Sequence, residues 1–407
     1  MRDGAKNRLI AFHTITDSKR EVGQSRYNCP GGKLRMSRVV LAAWAVLLLL
    51  AEAHAQSDWK KEWEKTIEAA KKEGQVNVYI GGWETVLESG AFQKAYPEIK
   101  VTWVGGRAGE TAKRILAERR AGKFLADVSS EGITSNYRVL HLAKSFDPIK
   151  PALLLPEVTD ESLWYQGKHR YVDPEGQFVF RYVGTQQQGN IAYNTKLVNP
   201  KEISSLWDLV DARWKGKIIA RDVRVPGPGS APMRFFYHHS ALGPNFIKKL
   251  FGEMDVTLFR DFRQSIDWLA SGKASLCFFC ADTDKAKLQG LPVDEFANFK
   301  EGAPLVSQYG TLALLNRAPH ANAAKVFINW FLSREGQIAL QKSLARSALE
   351  TADSLRIDIP KNDVRPENRR APGVNYLDLD SHVEWTDLKP VLAIFEEALA
   401  NAEKQKK

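Results

Sequence analysis

Apolar and polar positions along this 407-residue chain alternate between a helical and an extended rhythm. Trp59–Lys72 has helical spacing, with Ser57 or Asp58 to cap it and Gly74 to end it. "QVNVYI" follows as a strand and runs into the turn Gly81-Gly82-Trp83. "SGAFQKAYP" is a second helix stopped by Pro97, and "IKVTWV" a second strand. A Gly-rich turn at 105–109 opens the helix Glu110–Ala121, whose inner face carries Ile115 and Leu116. "FLADVSS" is a third strand, followed by a helix around Tyr137–Ala143. Strands alternating with helices predict an α/β fold with parallel sheets flanked by helices.

After Pro148 the rhythm lapses, and "GQFVFRYVGTQQQGNIAYNTKLV" reads as two extended segments joined by a polar, Gly-bounded link. A second alternating series then begins. It runs from a helix at Ser205–Arg213 through the strand "GKIIARD" to helices around Phe246–Gly252 and Phe262–Ser271. The strand "ASLCFF", the helix Thr283–Gln289 and the strand-like "VDEFAN" complete it. "LVSQYGTLALLN" is a return crossing, and Asn322–Leu344 reads as one long helix with a wide apolar face. A charged helix, Asp387–Lys404, closes the chain. The pattern predicts two α/β lobes joined by hinge strands: residues 56–187 with 305–345, and residues 188–304 with 346–407. Such lobes can close around a ligand held in the cleft between them.

The apolar run Val39–Ala51, after Arg38, is 13 residues long. A bilayer span needs roughly 18 or more. The run ends in Ala53-His54-Ala55, small residues flanking a variable one, so residues 36–55 read as a secretory signal cleaved before Gln56. Residues 1–35 show no apolar period, and translation is expected to start at Met36. The mature protein is therefore expected in the periplasm.

Removing the leader changes the charge picture. Residues 1–55 hold nine of the 58 basic and four of the 48 acidic residues, leaving the mature chain at +5 rather than +10. This modest surplus forms no basic run or aromatic-interleaved stripe, which argues against nucleic acid as a partner. Only Cys277 and Cys280 remain, in "ASLCFFCAD". In an oxidising compartment they can form a disulfide. Buried free thiols, a redox pair or a metal site are the alternatives. A redox pair of the thioredoxin type opens a helix after a strand, whereas these lie within a strand-like run. For a zinc site, His238 and His239 are the obvious partners, and nothing ties them to the cysteines.

"APHANAAKVFINWFLSREGQ" (residues 318–337) resembles a stretch of the bacterial extracellular solute-binding proteins of ABC importers. These are the type II periplasmic-binding family, related to ferric-iron, polyamine and thiamine binders. "WDLVDARWKGKIIARD", "AYNTKLV", "IKVTWV" with "ETAKRILAERRAGK", and "GLPVDEFANFKEGAP" follow the same family order. The resemblance covers nearly all of the mature chain. It implies a two-lobed, monomeric receptor that delivers a small solute to a membrane permease, without catalysis or a cofactor. One departure matters. Ferric-binding members commonly use adjacent tyrosines as ligands, and no Tyr-Tyr pair occurs here. Direct ferric binding is therefore not expected, and no metal site is assigned.

Open α/β sheets place ligands at the carboxyl ends of their strands. Trp83, after the first strand, can stack on a ligand ring or cap the core. Gly106, Arg107 and Gly109 offer close backbone approach, helix-start N–H groups and a cation, a combination suited to an anion. Ser129 and Thr134 belong to a similar strand-to-helix turn. In the second lobe, Arg221 or Arg224 and Ser230 precede a helix, and Tyr193 and Tyr309 flank the two crossings. Glu84, Glu110 and Glu131 are the carboxylates a polyamine would need. The expected ligand is a small anionic or polar organic solute.

Two rival classes follow from the same residues. One is an exported thiol-disulfide oxidoreductase using Cys277 and Cys280; the other is a periplasmic ligand sensor with the same closing cleft. No nucleophile elbow, zinc-protease motif or dinucleotide fingerprint is present to support a different enzyme.

Overall fold

The computed structural model describes residues 58–106, 109–186, 191–225, 229–346 and 351–405. The leader at 1–55, its cleavage point and Arg107 lie outside the described residues.

Val76, Val78 and Ile80 are buried on one face of the strand Gln75–Ile80 and Tyr79 is buried on the other, as a strand covered on both faces requires. It pairs in parallel with Lys100–Gly105 on one side and Val128–Glu131 on the other. Thr311–Leu315 then adds antiparallel, followed by Val179–Arg181 and Arg170–Tyr171. A second sheet repeats the plan. Ile218–Arg221 lies between Thr257–Phe259 and Leu276–Phe278, all parallel, with Ala192–Asn194 and Val293–Glu295 added antiparallel. Each sheet packs within its own apolar core, one around Phe180, Phe327 and Trp330, the other around Phe236, Phe246 and Phe278.

The two predicted crossings meet in a third, small sheet. Thr185–Gln186 pairs antiparallel with Ala303–Val306, and Tyr376–Asp378 joins from the tail. Wholly buried Arg181 ties the first sheet to this hinge. Its Nε donates to Ser307 Oγ at 2.8 Å, and its two Nη atoms donate to Asp378 at 2.8 and 3.1 Å.

Three expectations change. The apolar run Asn322–Leu344 is two helices, Ala321–Leu332 and Arg334–Leu344. Ser333 is extended between them and accepts from Gly336 N through Oγ at 3.2 Å, a cap that starts the second helix. Gly336 packs so tightly that a Cβ there would collide with the Trp330 carbonyl. Ser205–Arg213 is not an α-helix but two short 3₁₀ turns, Leu206–Val210 and Ala212–Trp214, each started by a side-chain cap from Ser205 or Asp211.

The tail is also divided, although 346–407 reads as one second-lobe segment in the sequence. Ala352 and Leu355 sit in the first core, while Val391 and Phe395 of the helix Lys389–Gln405 sit in the second. Arg356 anchors the first part. It is fully buried, pairs with Asp358 at 2.7 and 2.8 Å, and donates to the carbonyls of Glu157 and Leu332. A guanidinium this deep holds its segment wherever those acceptors are. Among the described residues no helix is long and apolar enough to cross a membrane.

Candidate functional site

A cleft of about 490 Å³ opens where strand ends of the first lobe, the hinge and a helix of the second lobe converge. Gly132–Ser135 form its first wall, at the start of the π-type helix Thr134–His141. Ser230, Ala231 and Arg234 form the opposing wall, at the start of the helix Ser230–His238. Gly229 makes that start possible at φ 115°, and a Cβ there would press on Val223 and Phe279. Two helix N-termini thus face one cavity from opposite lobes. Unpaired N–H groups at such ends carry partial positive charge and suit anionic or hydrogen-bond-accepting groups.

The floor comes from the hinge. Tyr309 and Gln308 line it, together with Trp83. Trp83 caps the core, the second of its two expected roles. It is almost wholly buried, edge-on to Tyr182 and Tyr309 at 6.4 and 5.7 Å between ring centres, and it still borders the cavity.

Arg234 brings a guanidinium to this wall, and the sequence reading missed it. Nothing in "SAPMRFFYH" separates it from an ordinary surface arginine. Its Nη2 donates to Asp380 Oδ1 at 3.0 Å and to the Leu379 carbonyl at 2.7 Å. The other oxygen of Asp380 accepts from Ser307 N at 2.6 Å. Asp380, Thr386 and Leu388 extend the wall from the tail, a region without any motif.

Trp83, Thr134, Ser230 and Tyr309 of the expected set therefore border the cavity. The others are placed differently. Gly106 N donates to Glu84 Oε1 at 3.0 Å, so an internal carboxylate occupies the turn expected to hold an anion. Gly109 caps its helix in the left-handed region and lies near Ser135 rather than in the cavity wall. Ser129 is fully buried and donates to Asn136 Oδ1 at 2.7 Å, a core contact. Tyr193 lies within the second sheet with its ring 4.5 Å from Phe296, away from the hinge. Arg224 forms a fork on Asp222, at 2.8 and 2.9 Å, and does not border the cavity.

The carboxylates change role as well. Glu110 is exposed and Glu84 caps the turn. Glu131 is wholly buried behind the first wall, and burial pushes its carboxyl up to about 8. Gly109 and Ser135 lie close enough to favour the ionised form, but neither makes a short hydrogen bond to it. Cys277 and Cys280 form a disulfide with Cα atoms 6.0 Å apart, and both are fully buried. Among the described residues no cluster of three or more His, Cys, Asp or Glu is placed to hold a metal.

Residues 54–338 match the model of a family described as bacterial extracellular solute-binding protein. Among solved structures, apo FutA2 from Synechocystis PCC6803 aligns with a TM-score of 0.54 at 16% identity, over 80% of this chain and 98% of its own. The Trichodesmium protein IdiA (FutA), solved with iron and citrate, aligns at 0.55 and 17%, over 80% and 99%. The ferric binding protein from Campylobacter jejuni aligns at 0.52 and 16%, over 79% and 99%. At these identities the likeness is one of fold. No curated protein matches the sequence at comparable stringency. The family match spans both crossings and both sheets, and the two-lobed plan agrees with it: the chain belongs to the bacterial extracellular solute-binding protein family.

Proposed function

We propose that this protein captures a small anionic or polar organic solute in its interlobe cleft and delivers it to the permease of an ABC importer. The pair of helix N-termini at Thr134 and Ser230, facing one cavity from opposite lobes, carries this reading. A solute accepting hydrogen bonds from both ends gains most when the lobes close on it. The leader at 36–55 supports export, with processing before Gln56 and a monomeric periplasmic receptor as the product.

Two structural neighbours are named for ferric binding or were solved with iron, so ferric ion is the cargo to weigh against an organic solute. Ferric iron favours several anionic oxygens. Among the described residues the cavity offers one phenol, Tyr309, and one carboxylate, Asp380, which already accepts from Ser307 and Arg234. That donor set favours the organic solute. Burial of Cys277 and Cys280 likewise weighs against thiol exchange with a protein substrate, and the family acts by binding.

A thermal-shift screen of the exported protein, refolded to strip bound solute, tests the proposal. The panel holds phosphate, phosphonates, sulfonates, small carboxylates, polyamines, thiamine, and ferric ion with and without citrate. A ligand at one hundred times its Kd stabilises the folded state by about 2.7 kcal/mol. A saturable shift from an anionic class, weakened by Ser230→Pro (which removes a helix-start N–H), is the expected result. A response confined to ferric ion or polyamines would overturn the substrate class.

A further inference from the structure

The segment Asp380–Leu388 belongs to neither repeated sheet, yet neighbouring residues in it are anchored on different lobes. Val383 packs on the first-lobe cluster that contains Leu140 and Phe146. Trp385 packs on the second-lobe core, its ring stacked on His238 with centres 4.4 Å apart and planes 10° from parallel. Polar contacts follow the same division. Arg138, on the first-lobe helix Thr134–His141, donates to the Val383 carbonyl at 3.1 Å and to Thr386 Oγ1 at 3.0 Å. Arg234, on the second-lobe helix Ser230–His238, donates to the Trp385 carbonyl at 2.6 Å. Thr386 and Leu388, beside these anchors, border the cavity.

We infer that this segment is a clasp: it joins the two lobes across the cleft and closes the outer wall behind a captured solute. Its two attachments differ in strength. The second-lobe side combines an ion pair between largely buried Arg234 and Asp380 with a stacked tryptophan. On the first-lobe side, Arg138 is exposed and its two hydrogen bonds compete with water. The clasp therefore travels with the second lobe and releases at Arg138. Thr386 and Leu388 contact the solute only while that latch is made. The joining of the lobes stands on these contacts alone, whereas the wall behind a solute rests on the proposed function.

Small-angle X-ray scattering of the exported protein without added solute tests the joining. Arg138→Ala removes the donor and Thr386→Val removes the side-chain acceptor at nearly constant shape. Arg213→Ala, at an exposed arginine paired with Glu202 elsewhere, is the control. Both clasp variants are expected to show a larger radius of gyration with unchanged far-UV circular dichroism, and the control the parent radius. With whichever panel compound binds, Arg138→Ala is expected to speed dissociation about tenfold, since interface changes act mainly on off-rates. Unchanged radii in both clasp variants overturn the clasp. A panel without a binder counts against the proposed function instead, because the scattering comparison needs no solute.

Discussion

The carboxyl group of Glu131 lies against the backbone of Gly81, so close that a side chain at position 81 would collide with it. Glu131 ends one strand and Gly81 follows the end of its parallel neighbour, where Gly81 N donates to the Ser130 carbonyl at 2.9 Å. A glycine here makes room for an acid in the core, and burial favours its neutral form.

The pH dependence follows. Unfolded, Glu131 titrates near 4.5; folded, it titrates near 8. Below the lower value both states are protonated and nothing is lost. Between the two values only the unfolded state ionises, so stability falls as pH rises, and above the upper value the loss is complete. The shift corresponds to on the order of 5 kcal/mol. Glu131→Gln should therefore gain on the parent steadily from pH 5 to pH 8 in urea unfolding. A difference that stays flat with pH would show that Glu131 is ionised in the folded protein.

Arg224 should be dispensable for solute capture. Arg224→Ala leaves the cleft intact and frees Asp222, whose carboxyl the Arg224 fork holds below the usual range and which Arg260 still reaches at 3.3 Å. Because Arg224 is 44% exposed, the cost should be at most about 1 kcal/mol. Thermal shifts with the panel's binder, measured for Arg224→Ala beside Ser230→Pro, separate the two residues: only the second should respond less.

The Cys277–Cys280 link should be structural. It closes a very short loop, so its loss should cost no more than about 2 kcal/mol. Cys280→Ser should lower the melting temperature and keep solute binding. The parent should fail to reduce insulin in the presence of dithiothreitol beyond the uncatalysed rate; clear turnover would restore the oxidoreductase reading.

Arg181 should matter far more than any exposed arginine. Arg181→Ala strips the buried partner from Asp378 and Ser307 and leaves Asp378 with Arg170 at 3.4 Å. Breaking a buried pair costs about 3 kcal/mol or more. Denaturant midpoints for Arg181→Ala and Arg213→Ala, read side by side, check the ranking.

Much of the architecture is legible in the sequence, because strand and helix periods are local properties. "QVNVYI" is the strand Gln75–Ile80 residue for residue, and both crossings fall where the apolar pattern switches lobes. The break at Ser333 escapes that reading. An apolar face continues across it, and the turn shows only in the fold, where Ser333 is extended and Gly336 packs on the Trp330 carbonyl.

The site is legible only in part. Thr134, Ser230 and Tyr309 were readable because strand ends and helix starts mark the rim of any open α/β sheet. Which arginine borders the cleft was not. Arg224 has a carboxylate two residues away that captures it, while Arg234 meets Asp380 from 146 positions along the chain. Local order and the two-lobed plan were thus determined by the sequence itself, through short-range periodicity. The tertiary structure alone decided which charges are paired, which acid is buried, and which tail segment touches both lobes. Those outcomes depend on partners far apart in sequence, and no local pattern encodes their meeting.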